Sequence, residues 1–202
     1  MHGRLLRVWR VARVCLPSVV SGGKKADFGE GDVVVELREF TLGDADALVS
    51  WISGPAELLT WAGPGFAWPL DHPQIAAYAV EPGRRTWMGV GPGGRLVGHA
   101  SLRLGADEVT ARLGRVLIAP DARGRGYGGA LLTQVLRLAF AQLCLERLEL
   151  GVFTHNHNAV RLYERLGFRV DEVLSDVERV EGRSWSALQM SLAKSDWSPS
   201  VE

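Results

Sequence analysis

The chain has 202 residues, of which 47% are hydrophobic, so it is long enough to bury the core of one ordinary globular domain. Its 23 basic and 23 acidic residues cancel, which excludes the strong charge imbalance of a general nucleic-acid or membrane-surface binder. The sequence has no run of 18 apolar residues and only two cysteines, without metal or disulfide spacing, so we expect no membrane span, no bound metal and a reducing, cytoplasmic setting.

Residues 1–31 differ in composition from the rest of the chain. They carry six basic and two acidic side chains, with arginines at every third position among apolar residues. A secretory signal fits poorly, because Arg13 interrupts the apolar stretch. We interpret 1–31 as a disordered basic extension; a targeting or membrane-surface segment and a translation start placed too far upstream are the alternatives. A single domain is predicted over 32–193, followed by a flexible tail over 194–202.

The first part of the domain is predicted to contain one strand and two helices. Alternation predicts a strand over 33–40, and turn and cap residues predict a helix near 44–53. Residues 54–70 are rich in Gly, Pro and aromatic residues and are predicted to be irregular. Asp71 is predicted to cap a second helix that Pro82 and Gly83 end.

The remaining elements alternate between strands and helices. Helical periodicity predicts helices over 130–143 and 158–166, the second closed by Gly167. The predicted strands are 85–90, 96–102, 109–118, 147–153, 168–178 and 184–192. The resulting order, β-α-α-β-β-β-α-β-α-β-β, predicts a mixed α/β sheet in one domain.

A basic, glycine-rich turn follows the strand that ends at Ile118 and opens the next helix. A helix start exposes unpaired N–H groups and the positive end of the helix dipole, and glycines let an anion approach the backbone closely, so this turn is typical of a phosphate site. It is not a P-loop, because no Gly-Lys-Ser/Thr follows. The G-x-G-x-x-G match at Gly124, Gly126 and Gly129 leaves a dinucleotide site open, as does an ordinary glycine-rich turn.

The pattern Arg123-x-x-Gly126-x-Gly128, preceded by an apolar strand and Pro120, resembles the R/Q-x-x-G-x-G/A motif of the GNAT superfamily of N-acetyltransferases. The resemblance implies a single-domain GNAT-like fold: a mixed, mostly antiparallel sheet flanked by helices, with a splayed central strand pair. It also implies acetyl-CoA as the cofactor, with its pyrophosphate on the loop amides and its pantetheine arm along the preceding strand.

A second segment resembles the same family. The pattern N-x-x-A-x-x-x-Y-x-x-x-G-F is filled by Asn156, Ala159, Tyr163, Gly167 and Phe168. In the family the asparagine contacts the cofactor or orders the loop, and the tyrosine acts as the catalytic acid toward the departing thiolate. The alternative for Tyr163 is a half-buried packing residue, and Asn158 could serve as the helix cap.

The resemblance, which covers residues 33–192, assigns two sets of binding residues. The predicted cofactor-binding residues are Val116, Leu117, Ile118, Arg123, Gly124, Arg125, Gly126, Tyr127, Gly128, Gly129 and Asn156. The acceptor site lies under the first two helices and their connection, a loop that is similar to that of a subgroup near the ribosomal-protein N-terminal acetyltransferases. There Trp61, Phe66 and Trp68 are predicted either to line an acceptor pocket or to fill the core.

The sequence departs from the family at the catalytic base. Many members carry a glutamate near the position of Arg112, and an arginine cannot act as a base. The nearby candidates are Asp107, Glu108, Glu149 and His99, each of which is better interpreted as a surface or turn residue, so the base stays unassigned and a water chain is an alternative.

The sequence therefore predicts an acetyl-CoA-dependent N-acetyltransferase without a metal, in which a primary amine attacks directly in a ternary complex. The acceptor is a small-molecule amine or a protein N-terminus, neither nucleic acid nor membrane is expected as a partner, and a homodimer is left open. Two alternatives remain: a non-catalytic acyl-CoA-binding regulatory module, and, more distantly, a dinucleotide-dependent oxidoreductase.

Overall fold

Seven strands form one sheet, in the spatial order β1-β2-β3-β4-β5-β7-β6, in a computed structural model that describes residues 33–198. Neighbouring strands are antiparallel except β4 and β5, which are parallel. The strands are β1 (Glu36–Glu39), β2 (Arg84–Val90), β3 (Leu96–Leu104), β4 (Thr110–Ile118), β5 (Arg147–Phe153), β6 (Arg169–Val180) and β7 (Arg183–Ala193). The α-helices are α1 (Ala45–Ser50), α2 (Pro55–Ala62), α3 (His72–Ala79), α4 (Tyr127–Arg137) and α5 (His157–Arg165).

Helices cover both faces of the sheet. Because successive strand residues point to opposite sides, neighbouring residues of one strand pack against different helices. On β2, Trp87 belongs to a large apolar cluster that includes Leu131 and Val135 of α4. Its neighbour Met88 belongs to a second cluster, built by α1, α2 and α3. In the part of the chain that the structure describes, no helix is long and apolar enough to cross a bilayer.

β4 and β5 separate soon after they begin to pair. Their register runs only from Thr110 opposite Arg147 to Arg112 opposite Glu149. Beyond that point β4 has a bulge against β3, where Arg115 adopts a left-handed backbone conformation with φ 52°. The predicted fold class, a mostly antiparallel mixed sheet with a splayed central strand pair, is confirmed.

The prediction of an irregular segment over 54–70 is wrong for its first half, where α2 forms. Pro55 occupies the first helical position, where its missing N–H costs no hydrogen bond. The Glu57 carboxylate then accepts hydrogen bonds from the N–H and the hydroxyl of Ser53, at 2.8 and 2.6 Å. Leu58 and Trp61, three residues apart, bury the inner face of the helix.

Two other boundaries differ from the predictions. α4 begins at Tyr127 rather than at 130, because tertiary packing overrides the low helix propensity of Gly128 and Gly129. The tail predicted to be flexible from 194 is ordered at its start, where Trp197 packs on Phe140 with ring centroids 5.3 Å apart. The predicted extension over 1–31 and residues 199–202 lie outside the described part of the chain.

Asp44 fixes the connection between β1 and α1. Its carboxylate accepts both terminal N–H groups of Arg38, at 2.9 and 2.7 Å, and the N–H and hydroxyl of Thr41, at 2.8 and 2.9 Å. The hydrogen bonds from Arg38, followed by those from Thr41, outweigh the effect of burial and lower the pKa of Asp44 to about 2.

We expect Asp44→Asn to lower the free energy of unfolding by about 2 kcal/mol at pH 7. The folded pKa of Asp44 is depressed, so its stabilisation is complete above about pH 4 and is lost as the pH falls toward 2. Urea unfolding across this range should therefore show a shallower acid decline for the variant. Asp46→Asn is the control, because its exposed pair with His72 contributes little; equal losses in both variants would contradict the assignment.

Candidate active site

The gap between β4 and β5 opens into a cleft of about 760 Å³. Its walls are the second half of β4, the glycine-rich loop, the start of α4, and α5. Most of the residues predicted from the sequence line it: Val116, Leu117, Ile118, Arg123, Gly124, Gly126, Gly128, Gly129, Asn156, Tyr163 and Trp61.

The glycine-rich loop presents the N-terminus of α4 to this cleft. Gly126 is the N-cap residue and adopts a left-handed conformation, φ 82°, which favours glycine. The Ala130 N–H donates to the Gly126 carbonyl at 3.1 Å, so the N–H groups of residues 127–129 precede the first intrahelical hydrogen bond. Together with the positive end of the helix dipole, these groups form a site for an anion.

Besides Arg115, three arginines add positive charge along the cleft. Arg123 is held in place, since its Nε donates to the Ile118 carbonyl at 3.0 Å and its Nη2 to Glu57 at 2.8 Å. Arg161 and Arg165 line the cleft from α5 and were not predicted as binding residues. Their i, i+4 spacing places both on one helix face, which is the sequence feature that could have identified them.

Arg125 and Tyr127, both predicted to bind the cofactor, do not line the cleft. The Tyr127 ring lies beside Gly91, and the Arg95 guanidinium stands 5.8 Å from its centroid. The structure therefore brings only the backbone of Tyr127, as the first residue of α4, to the predicted anion site.

The second motif forms the wall of the cleft opposite β4. Asn156 caps α5, with its side-chain oxygen accepting the Ala159 N–H at 3.3 Å, so the cap is not Asn158. Tyr163 is 8% exposed and packs edge-on against Phe168. Burial raises the pKa of Tyr163, so its hydroxyl stays protonated at neutral pH and is available as a proton donor.

A second pocket of about 380 Å³ meets the cleft at the gap between the strands. The two cavities share seven lining residues, contributed by α2, β4 and β5: Thr60, Trp61, Leu113, Gly114, Arg115, Gly151 and Val152. A molecule in the cleft and a molecule in this pocket could therefore meet at the point where β4 and β5 part.

The three aromatic residues predicted for the acceptor site have different positions. Trp61 lines both cavities. Phe66 lines neither, and stacks on Trp61 with centroids 5.6 Å apart and planes 4° from parallel. Trp68 is 46% exposed and also lines neither cavity. The structure thus brings Trp61 to the site, gives Phe66 a supporting position, and leaves Trp68 outside.

Three of the candidate bases named from the sequence are held in other interactions. His99 is buried; its Nδ1 donates to the Arg115 carbonyl at 2.9 Å, and burial lowers its pKa to about 4. Glu149 is paired with Arg147, and Asp107 accepts hydrogen bonds in its own turn. For Glu57, partial burial alone would raise the pKa, but hydrogen bonds from Ser53 and Arg123 outweigh it and lower the pKa. Among residues 33–198, no three His, Cys, Asp or Glu side chains are grouped to hold a metal.

Comparison with known proteins identifies relatives over most of this region. A family model described as the acetyltransferase (GNAT) family matches residues 55–168. An N-acetyltransferase of Streptomyces griseus is 37% identical over 58% of this chain and 58% of its own. An uncharacterized N-acetyltransferase of Mycobacterium tuberculosis is 33% identical over 50% of this chain and 64% of its own. The chain thus spans less than two thirds of these curated relatives.

Solved structures share the fold. The spermidine N-acetyltransferase of Vibrio cholerae in complex with CoA and spermine superposes with a TM-score of 0.71, over 80% of this chain and 96% of that chain, at 20% identity. At this identity the similarity establishes the fold alone. Together with the family model, it confirms the family resemblance inferred from the two sequence motifs.

We expect His99 to make stability fall between about pH 6.5 and pH 4. The folded pKa of His99 is depressed, so the stabilisation is complete above the unfolded pKa of 6.5 and about 3 kcal/mol is lost as the pH falls to 4. Chemical unfolding of the wild type and of His99→Gln should show this loss only in the wild type. His72→Gln, at an exposed histidine, is the control; a pH profile unchanged by His99→Gln would mean that His99 is not held neutral.

Proposed function

Because the chain belongs to the acetyltransferase (GNAT) family, we propose that it transfers an acetyl group from acetyl-CoA to a primary amine, a small molecule or a protein N-terminus. The observation that carries the proposal is the meeting of two cavities at the gap between β4 and β5. The cleft holds acetyl-CoA, the second pocket admits the amine, and the two reactants meet without a covalent enzyme intermediate. A cytoplasmic location is part of the proposal, supported by the cysteine spacing.

The chain's residues fit acetyl-CoA. The free N–H groups at the start of α4 bind the pyrophosphate, and Arg161 and Arg165 supply positive charge for the phosphates. The gap between the strands takes the pantetheine arm, because β5 pairs with β4 only as far as Arg112 and leaves the later backbone groups of β4 available on that side.

β4 also supplies a group for the developing oxyanion. The Ala119 N–H donates to Val97 of β3 at 3.0 Å. Because successive N–H groups of a strand point to opposite sides, the Ile118 N–H points to the gap. Acetyl-CoA supplies an activated thioester there, and a fixed backbone N–H stabilises the negative charge that forms on its carbonyl oxygen as the amine attacks.

Tyr163 completes the transfer as the proton donor. The amine nitrogen forms the C–N bond first and loses a proton to water, which leaves a tetrahedral oxyanion. The oxyanion then re-forms the C=O bond as the C–S bond breaks, and the departing sulfur takes the proton of the Tyr163 hydroxyl. Water then reprotonates the tyrosine.

A second candidate function is a non-catalytic acyl-CoA-binding module. The observation that favours it is Arg112, which stands where the family resemblance places a glutamate base. Retained binding of acetyl-CoA without turnover of any amine, even at high pH, would support this alternative.

We expect the purified protein to bind acetyl-CoA saturably, and NAD weakly, in calorimetric titrations. Gly126→Asp should abolish acetyl-CoA binding, because it places a side chain and a negative charge at the predicted anion site. Gly93→Asp is the matched control: it also replaces a glycine of positive φ, but in the β2–β3 connection. Failure of the folded wild type to bind acetyl-CoA would overturn the proposal.

We expect Tyr163→Phe to lower kcat by about a hundredfold or more while leaving the Kd for acetyl-CoA nearly unchanged, because only the proton donor is lost. Steady-state kinetics and calorimetry on the same preparation measure the two effects. Tyr78→Phe, in a buried ring outside both cavities, controls for the loss of a tyrosine hydroxyl. Normal turnover by Tyr163→Phe would remove Tyr163 from the mechanism.

A further inference from the structure

Three arginines lie side by side across three neighbouring strands. Arg84 of β2 is directly opposite Arg103 of β3, which is directly opposite Arg112 of β4. Residues opposite each other in antiparallel strands are only about 5 Å apart, and like charges in such pairs are destabilising. We call these three residues the arginine row. A row of positively charged side chains at a cavity destabilises the fold, and an anionic ligand bound there is the simplest explanation for it.

The arginine row lines the second pocket, together with Arg115. Glu178 is the one acid among the pocket-lining residues that the structure describes. By contrast, the acids Glu57 and Asp121 lie at the cleft and at the glycine-rich loop, where each is paired with an arginine. The second pocket therefore has a surplus of positive charge.

Arg84 and Arg115, whose side chains are largely buried, share one counter-ion, the carboxylate of Glu81. Arg84 donates to Glu81 at 2.7 Å and to the Ser101 hydroxyl at 3.1 Å, and Arg115 lies 3.5 Å from the same Glu81. Arg115 is also held between aromatic rings, 4.3 Å from the centroid of Tyr78 and 4.7 Å from that of Phe66. These two side chains are fixed by the fold.

Arg103 and Arg112, the other two arginines of the pocket, have no such partner. Among residues 33–198, no carboxylate lies within ion-pair distance of Arg103 or Arg112. Glu149, the register neighbour of Arg112 on β5, is paired with Arg147 instead. Arg112 donates one N–H to the Gln189 side chain at 3.2 Å, which leaves other N–H groups of its guanidinium for a ligand.

The backbone makes room for a guanidinium at the gap. A Cβ atom at Gly151 of β5 would stand 2.6 Å from Nη2 of Arg112, closer than such atoms approach without a shift. Gly151 therefore lets the Arg112 guanidinium lie across β5, where the cleft and the second pocket meet. An anionic group bound by Arg112 would be close to the position that the proposed reaction requires for the amine.

We propose that the second pocket selects a small primary amine that also carries a carboxylate or phosphate group, bound by Arg103 and Arg112. This inference rests on the proposed acetyl transfer. A guanidinium matches both anions because its planar fork donates two parallel hydrogen bonds. A polyamine, the acceptor named for the spermidine N(1)-acetyltransferase of Vibrio cholerae that is 30% identical over 83 residues, would instead meet a surplus of like charge.

The test uses four amines that share an aminoethyl group and differ in the charge at the other end. β-Alanine carries a carboxylate, O-phosphoethanolamine a phosphate, ethanolamine a neutral hydroxyl and 1,3-diaminopropane a second ammonium. Release of the CoA thiol gives kcat/KM for each. We expect at least one anionic amine to exceed both ethanolamine and the diamine about tenfold or more, and the better of the two identifies the preferred anion.

Variants of the arginine row then test the residues. Arg103→Gln and Arg112→Gln should each lower kcat/KM for the anionic amine about tenfold, through KM, with little change for ethanolamine or in the Kd for acetyl-CoA. Arg85→Gln is the matched control, since Arg85 is the β2 neighbour of Arg84, is paired with Glu39 and lies outside the pocket. Glu178→Gln should raise kcat/KM for the anionic amine.

The outcomes separate this inference from the proposed function. No binding of acetyl-CoA by the wild type would overturn both. If acetyl-CoA binds, equal or better turnover of the diamine, turnover of none of the four amines, or an anionic preference that survives both arginine substitutions would overturn the inference alone.

Discussion

The parting of β4 from β5 is the constraint on which the site depends. A parallel pair that stayed in register would close the sheet and satisfy its own backbone groups. Pairing instead ends at Arg112 and Glu149, and the bulge at Arg115 turns β4 away. A left-handed conformation at a residue other than glycine costs of order 1 kcal/mol and persists only where its surroundings enforce it. The cleft, the second pocket and their meeting point all follow from this local geometry.

The surroundings that enforce the bulge come from α3, from the chain segments before and after it, and from β3. Arg115 is held by Phe66, Tyr78 and Glu81, and its carbonyl accepts the buried His99 N–H. Phe66 in turn stacks on Trp61, a side chain that lines both cavities. One connected group of aromatic and charged side chains therefore fixes both the bulge at Arg115 and the position of Trp61. We expect a change at the bulge to disturb Trp61, and a change at Trp61 to disturb the bulge.

The features predicted well from the sequence are those set by neighbours in the chain. The loop that opens α4 and the cap at Asp71 depend on glycines and a capping side chain within a few residues, so their patterns predict their structure. α2 was missed because Gly, Pro and aromatic residues dominate its surroundings, although Pro55 is a good first helical residue. The arginine row depends on strand register across β2, β3 and β4, which short-range patterns do not specify.

The positive charge of the second pocket bears on the unassigned catalytic base. In the proposed reaction, a primary amine would reach the site mainly as an ammonium ion and would have to lose a proton before its nitrogen could attack. Nearby positive charge disfavours the ammonium form and lowers its pKa, so the surplus of arginine in the pocket favours the neutral, reactive amine. A substrate anion held by Arg103 and Arg112 offsets part of this effect, whereas Arg84 and Arg115 share a single carboxylate behind the pocket. In the proposed reaction, the net positive charge left on Arg84 and Arg115 would therefore favour the neutral form of any amine in the pocket, and water would accept its proton.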